Sequence, residues 1–127
     1  MTAPWRVLLV DDSDDMRMLL RIKLESWDHY EVVGEAGDGE SAVRLATEQQ
    51  PDLVMLDLAM PEMDGLQALP LIREAVPHVR VVVLSGFDQG LMADKARAAG
   101  ADGFVEKGVP MEDLARVVDE LLSSEPA

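Results

Sequence analysis

The sequence predicts an α/β fold, a doubly wound three-layer (βα)5 sandwich with helices on both faces of a parallel five-stranded sheet. Strand-like and helix-like patterns alternate five times along the 127 residues, and such alternation implies parallel strands joined by right-handed crossovers. The runs Val7 to Val10, Leu53 to Leu56 and Val81 to Leu84 are short and wholly apolar, as strands covered on both faces must be. The ends of the runs carry chemistry: Asp11 and Asp12 follow the first, Asp57 the second and Ser85 the third, and Lys107 stands two residues past Phe104 and Val105. In open α/β sheets the ligand crevice lies outside the carboxyl ends of the strands.

The first strand spans about Trp5 to Val10. The helix after it places Met16, Leu19, Leu20, Leu24 and Trp27 on one face at three- and four-residue spacing, and Asp14 and Asp15 cap it and complement its dipole. Tyr30 to Ala36 is a second strand, interrupted by Glu31 and Glu35 and so suited to an edge. The turn Gly37, Asp38, Gly39 leads into a helix to about Gln49 with Ala42, Leu45 and Ala46 inward. Leu53 to Leu56 is too short for a helix and apolar enough for a central buried strand.

Met60, Pro61, Glu62, Met63, Asp64 and Gly65 form a loop in which Asp64 is a helix N-cap. Pro70 lies inside the next helix, where a missing backbone donor and a crowded turn predict a kink or an early break. Val79 to Leu84 is the fourth strand and Asp88 to Ala99 the fourth helix, with Gly100 as its left-handed stop. Asp102 to Glu106 makes the fifth strand. Pro110 suits the first turn of a last helix whose Leu114, Val117, Val118 and Leu121 form a stripe. The whole reads as one domain, residues 1–127, with a core of about 5–122 and a tail of linker composition from Ser123 to Ala127.

The absence of cysteine excludes disulfides, thiolate metal sites and cysteine nucleophiles, and is compatible with a reducing compartment. No signal peptide is visible after Met1, and no run approaches the roughly 18 apolar residues of a membrane helix. A soluble, cytoplasmic chain without membrane contact is expected. Twenty-five acidic against eleven basic residues, a net charge of −14, argue against direct nucleic-acid binding.

Three carboxylates at one sheet edge need compensation, because like unit charges about 4 Å apart repel by about 4 kcal/mol at an effective dielectric of 20. Mg²⁺, a hard cation that takes oxygen ligands and binds through one or two carboxylates plus a substrate phosphate, supplies it, and Lys107 adds a second positive charge. A carboxylate so supported can attack a phosphoryl group. Asp57, alone after the most apolar strand, is the best nucleophile, while Asp11 and Asp12 are better placed to hold metal. Ser85, from the neighbouring strand, can donate a hydrogen bond to the acylphosphate formed.

The paired acids Asp11 and Asp12, then Asp57, the loop Met60 to Gly65, Ser85 and Lys107, each after its own strand, resemble the receiver domain of bacterial two-component response regulators, of the chemotaxis-regulator kind. The resemblance covers about Arg6 to Leu122. It implies a flavodoxin-like sheet of order 2-1-3-4-5. It further implies that Asp57 accepts a phosphoryl group from a sensor histidine kinase or phosphotransfer protein, and that Asp12, Asp57 and the carbonyl of Ala59 ligate Mg²⁺ with Asp11 acting through water. Ser85 and Lys107 would contact the phosphoryl group, and Phe104 takes the place of the aromatic switch residue. Such a chain is a self-phosphorylating and autodephosphorylating signalling domain rather than a metabolic enzyme. Its output would be a partner or a carboxy-terminal effector domain, and it has room for a homodimer through the fourth and fifth helices.

The sequence departs from that pattern in two places: Pro70 in the third helix, which argues against a partner surface built there, and the position after the lysine, beside the site. Receiver domains usually carry a proline directly after the lysine, in a cis peptide; here it is Gly108, and since a cis bond without proline costs about 2.5–4 kcal/mol, a trans link is expected. The rivals are a degenerate receiver that binds partners without phosphorylation and a Mg²⁺-dependent aspartyl phosphatase, which would usually carry a second acid where Ala59 stands. An EF-hand reading of Asp12 and Asp14 fails at Met16, and Gly34, Gly37 and Gly39 have the wrong order for a dinucleotide fingerprint. Apolar Ala59 and Phe87 cannot orient an attacking water, so slow loss of the phosphoryl group is expected. His29 and His78 are read as solvated loop residues.

Overall fold

The computed structural model describes residues 4–58, 60, 64–86 and 89–123. Five strands and five helices alternate: β1 (Trp5–Val10), α1 (Asp14–Glu25), β2 (Tyr30–Ala36), α2 (Gly39–Gln49), β3 (Leu53–Asp57), α3 (Gly65–Ala75), β4 (Arg80–Ser85), α4 (Gln89–Ala99), β5 (Gly103–Glu106) and α5 (Met111–Ser123). The strands pair in parallel in the order β2-β1-β3-β4-β5, so the most apolar strand is central and the Glu-interrupted one is an edge, as expected. The chain reverses its direction of winding between β1 and β3, which puts the crevice beyond Val10 and Asp57.

Alternation along each strand divides the core in two. Leu8, Val10, Val54, Leu56, Val81 and Val83 face Ala42 and Ala46 of α2, Ala68, Leu69 and Ile72 of α3, and Ala96 of α4. Val7, Leu9, Leu53, Met55, Val82 and Leu84 face Leu20 and Leu24 of α1 and Leu114, Val118 and Leu122 of α5. Both faces are therefore dry, which explains why the central strands read as unbroken apolar runs.

Local chemistry sets the helix starts. The Ser13 hydroxyl accepts from the Met16 amide and caps α1, so Asp14 and Asp15 occupy the first turn rather than the cap. Asp38 caps α2 through the Ser41 amide at 2.7 Å. Asp64 and Gln67 form a reciprocal capping box at α3, with bonds of 2.9 and 3.0 Å. Gly100, at φ +112°, follows α4 in a backbone region that disfavours other residues.

The early break expected at Pro70 does not occur. Helix α3 runs unbroken from Gly65 to Ala75, because the proline stands on the exposed face while the capping box and buried Leu69 and Ile72 hold the helix on either side. Leu19, expected inward, is 50 % exposed, and Val117 is 38 % exposed. Each lies a helical step of about 100° from the buried line, Leu20 to Leu24 in α1 and Leu114 to Val118 in α5, so packing selects a narrower stripe than the pattern offers. His29 is not simply solvated: its ring stacks on Trp27 and its Nε2 lies 2.6 Å from Asp119 of α5. Residues 61–63 of the acidic loop, Asp88 and the tail 124–127 lie outside the described residues.

Candidate functional site

Strand register assembles the site. Val10 of β1 pairs with Leu56 of β3, so the next residues, Asp11 and Asp57, emerge side by side. Asp57 pairs with Leu84 and Ser85 with Glu106, which sets Ser85 and Lys107 one step further along the same edge. The Lys107 amide also donates to the Ser85 carbonyl at 2.9 Å. Four strands thus deliver Asp11, Asp57, Ser85 and Lys107 to one place.

Asp11 is 0 % and Asp57 1 % exposed, whereas Asp12 faces solvent. The Lys107 ammonium bridges the two buried acids, with Nζ 2.8 Å from Asp11 Oδ2 and 3.0 Å from Asp57 Oδ2. Burial alone would lower the Lys107 pKa, but the hydrogen bonds and charges of Asp11 and Asp57 outweigh it and hold the ammonium above its ordinary value. The lysine is firmly charged. Asp11 is further fixed by the Ser13 amide, which donates to its Oδ1 at 2.9 Å.

One carboxylate oxygen from each of Asp11, Asp12 and Asp57 lies within 4.8 Å of the others. Opposite ligands of Mg²⁺ are about 4 Å apart, and the cation prefers carboxylate oxygens. Three acids against one amine also leave a charge deficit that a divalent cation would offset. Donor type, spacing and charge all fit such an ion.

The structure therefore brings together Asp11, Asp12, Asp57 and Lys107, with Ser85, 2 % exposed, at the adjoining strand end. Phe104 is half-buried in β5 and packs against the core beneath α2, α3 and α4. Lys107 and Gly108 are joined in trans, as expected without proline. Ala59 and Phe87 lie outside the described residues.

Two residues take parts that the sequence reading did not assign: Gly65, read there only as a loop residue, and Arg17. Gly65 begins α3 directly against the end of β3, donating its amide to the Leu58 carbonyl at 3.2 Å. Arg17 of α1 donates to the backbone carbonyl of Asp11 and pairs with Asp14 and Glu35. Arg17 left only a faint signal, an arginine three residues after an acid, because its other partners are set by the fold.

Comparison with known proteins agrees with this geometry. The family model described as the response regulator receiver domain matches residues 7–119. The chain is 37 % identical over 119 residues to the chemotaxis protein CheY of Halobacterium salinarum, covering 94 % of this chain and 98 % of that one. It is 36 % identical over 114 residues to the transcriptional regulatory protein YdfI of Bacillus subtilis, covering 90 % of this chain and 53 % of YdfI. The chain thus spans about half the length of YdfI. Among solved structures, a chain of the CheX–CheY–BeF3–Mg²⁺ complex from Borrelia burgdorferi superposes with a TM-score of 0.85 at 28 % identity, over 94 % of this chain and 90 % of that one.

Proposed function

This chain belongs to the response regulator receiver domains, and from that premise we propose that Asp57 is its phosphoacceptor. The carrying observation is the Lys107 ammonium seated 3.0 Å from Asp57 Oδ2 and 2.8 Å from Asp11 Oδ2. It places fixed positive charge where a phosphoryl group on Asp57 would develop negative charge.

In this reading an Asp57 carboxylate oxygen forms a bond to phosphorus while the phosphorus–nitrogen bond of a donor phosphohistidine breaks. The electron pair stays on the imidazole, which takes up a proton. Lys107 holds its proton throughout and binds a phosphoryl oxygen, and Ser85 donates its hydroxyl to another. Asp12, Asp57 and the Ala59 carbonyl would hold Mg²⁺ with Asp11 acting through water, and the bound ion would offset charge on the phosphoryl oxygens. Slow hydrolysis of the acylphosphate is expected from the sequence, since Ala59, two residues past Asp57, and Phe87, two past Ser85, are apolar and cannot orient an attacking water.

The donor is a sensor histidine kinase or a phosphotransfer protein in the cytoplasm. A phosphoryl group of roughly −1.5 to −2 charges, standing where the carboxylate carried −1, would draw Ser85 toward Asp57 and let Phe104 turn inward, changing the face made by α4, β5 and α5. Output passes through that face to a partner or an effector domain, with homodimerisation through α4 and α5 as one form of it. No helix among the described residues is long and apolar enough to cross a membrane.

Incubation with Mg²⁺ and acetyl phosphate, read by intact mass, tests the assignment. The native chain is expected to gain one phosphoryl group and Asp57→Asn none. Equal gain by both would move the acceptor elsewhere.

A further inference from the structure

The geometry points to Arg17 as a positioning residue that sets the Mg²⁺ affinity of the acid pocket by holding the backbone of Asp11. It rests on the reading of that pocket as a Mg²⁺ site. Arg17 bonds to none of the acid-pocket carboxylates; it holds the backbone of the turn that carries them. Nη1 donates to the Asp11 carbonyl, Nη2 to Asp14 in the first turn of α1, and Nε to Glu35 of β2 at 3.2 Å. Arg21 pairs with the other oxygen of Glu35 and steadies it.

The Arg17 side chain is 15 % exposed, far less than its partner Asp14 at 89 %. It is therefore no ordinary surface pair, and three directed bonds to three separate segments require the planar fork of arginine. One of them lands on residue 11, whose other polar atoms are held as well. The Asp11 amide is tied to the Ala36 carbonyl at 3.0 Å, its Oδ1 to the Ser13 amide at 2.9 Å and its Oδ2 to Lys107 at 2.8 Å. The Arg17 bond fixes the remaining polar atom of that residue.

Among the described residues, Asp12 has no such scaffold of its own. It is exposed, and its position follows from the peptide whose carbonyl Arg17 holds. Loosening that peptide would let the Asp12 carboxylate leave the cluster it forms with Asp11 and Asp57, at a cost to cation binding rather than to the core. A ligand held to within about half an ångström by its supporting contacts binds better than one left free, and loss of outer contacts to metal ligands typically costs 10–100-fold in affinity.

Charge works in the opposite sense, since deleting a cation near three acids favours Mg²⁺, so the test must hold net charge constant. Mg²⁺ titration by calorimetry of the native chain, of Arg17→Met with Glu35→Gln, and of Arg17→Lys separates the effects. Binding is expected to weaken at least fivefold in the double variant and by a smaller factor in Arg17→Lys, each still melting cooperatively. A merely structural role would lower the melting temperature and leave the Mg²⁺ affinity within twofold of native, and that result would overturn the proposal. Should the double variant fail to fold, native affinity in Arg17→Lys would overturn it equally. A native chain that binds no Mg²⁺ would overturn the reading of the pocket itself, and the proposal with it.

Discussion

A β-carbon placed on Gly65 would stand 2.3 Å from the carbonyl oxygen of Asp57 and 2.9 Å from the Cα of Leu58. Both neighbours are backbone, so neither can turn aside. The first turn of α3 is thus pressed against the strand end that carries the candidate nucleophile, and only glycine permits that approach.

Gly65→Ala is accordingly expected to destabilise the fold by about 1–3 kcal/mol, the usual range for overpacking. Because relief requires Asp57 or α3 to shift, phosphorylation by acetyl phosphate should slow as well. Chemical denaturation and the rate of mass gain check the two effects. An unchanged rate would show that the strain is absorbed by α3 alone.

Mg²⁺ is expected to stabilise the native chain. At tenfold over its dissociation constant a ligand specific to the folded state contributes about 1.4 kcal/mol, which for a domain of this size raises Tm by roughly 4–6 °C. Asp57→Asn removes one acid of the cluster and should reduce the shift. Thermal melts with MgCl2 or with EDTA measure it, and identical shifts in both chains would remove Asp57 from the metal site.

Tyr30 links stability to alkaline pH. Burial first, then the hydrogen bond to Asp119 at 3.0 Å and the charge of that carboxylate, push the phenol well above its ordinary pKa of about 10. Above about pH 10 the unfolded chain releases this proton while the folded chain keeps it, so the contribution present below pH 10 declines as pH rises. Tyr30→Phe should lose about 1 kcal/mol at neutral pH and show a flatter decline above pH 10. Denaturation at pH 8 and pH 10.5 tests this, and parallel declines in both chains would refute it.

Pro70 offers a gain. It is exposed and interrupts the backbone bonding of an otherwise continuous α3, so Pro70→Ala should stabilise by about 1–3 kcal/mol. A melting temperature equal to or below native would show that the helix is already adapted to the ring.

Much of this molecule was legible in the residue order. Runs such as Leu53 to Leu56 announce a strand dry on both faces, Asp38 and Asp64 announce helix starts, and polar residues at strand ends mark the edge where chemistry gathers. These are local signals, since they depend on propensity, capping and spacing within one element. What the residue order left open depends on non-local register and packing. Only the pairing of Val10 with Leu56 makes Asp11 the acid that turns inward to Lys107 and leaves Asp12 in solvent. Only the docking of α1 against β2 brings Glu35 to Arg17. The surroundings of Pro70, Leu19 and Val117 were settled in the same way, because whether a side chain is buried is decided by the neighbour that covers it, which may lie anywhere along the chain.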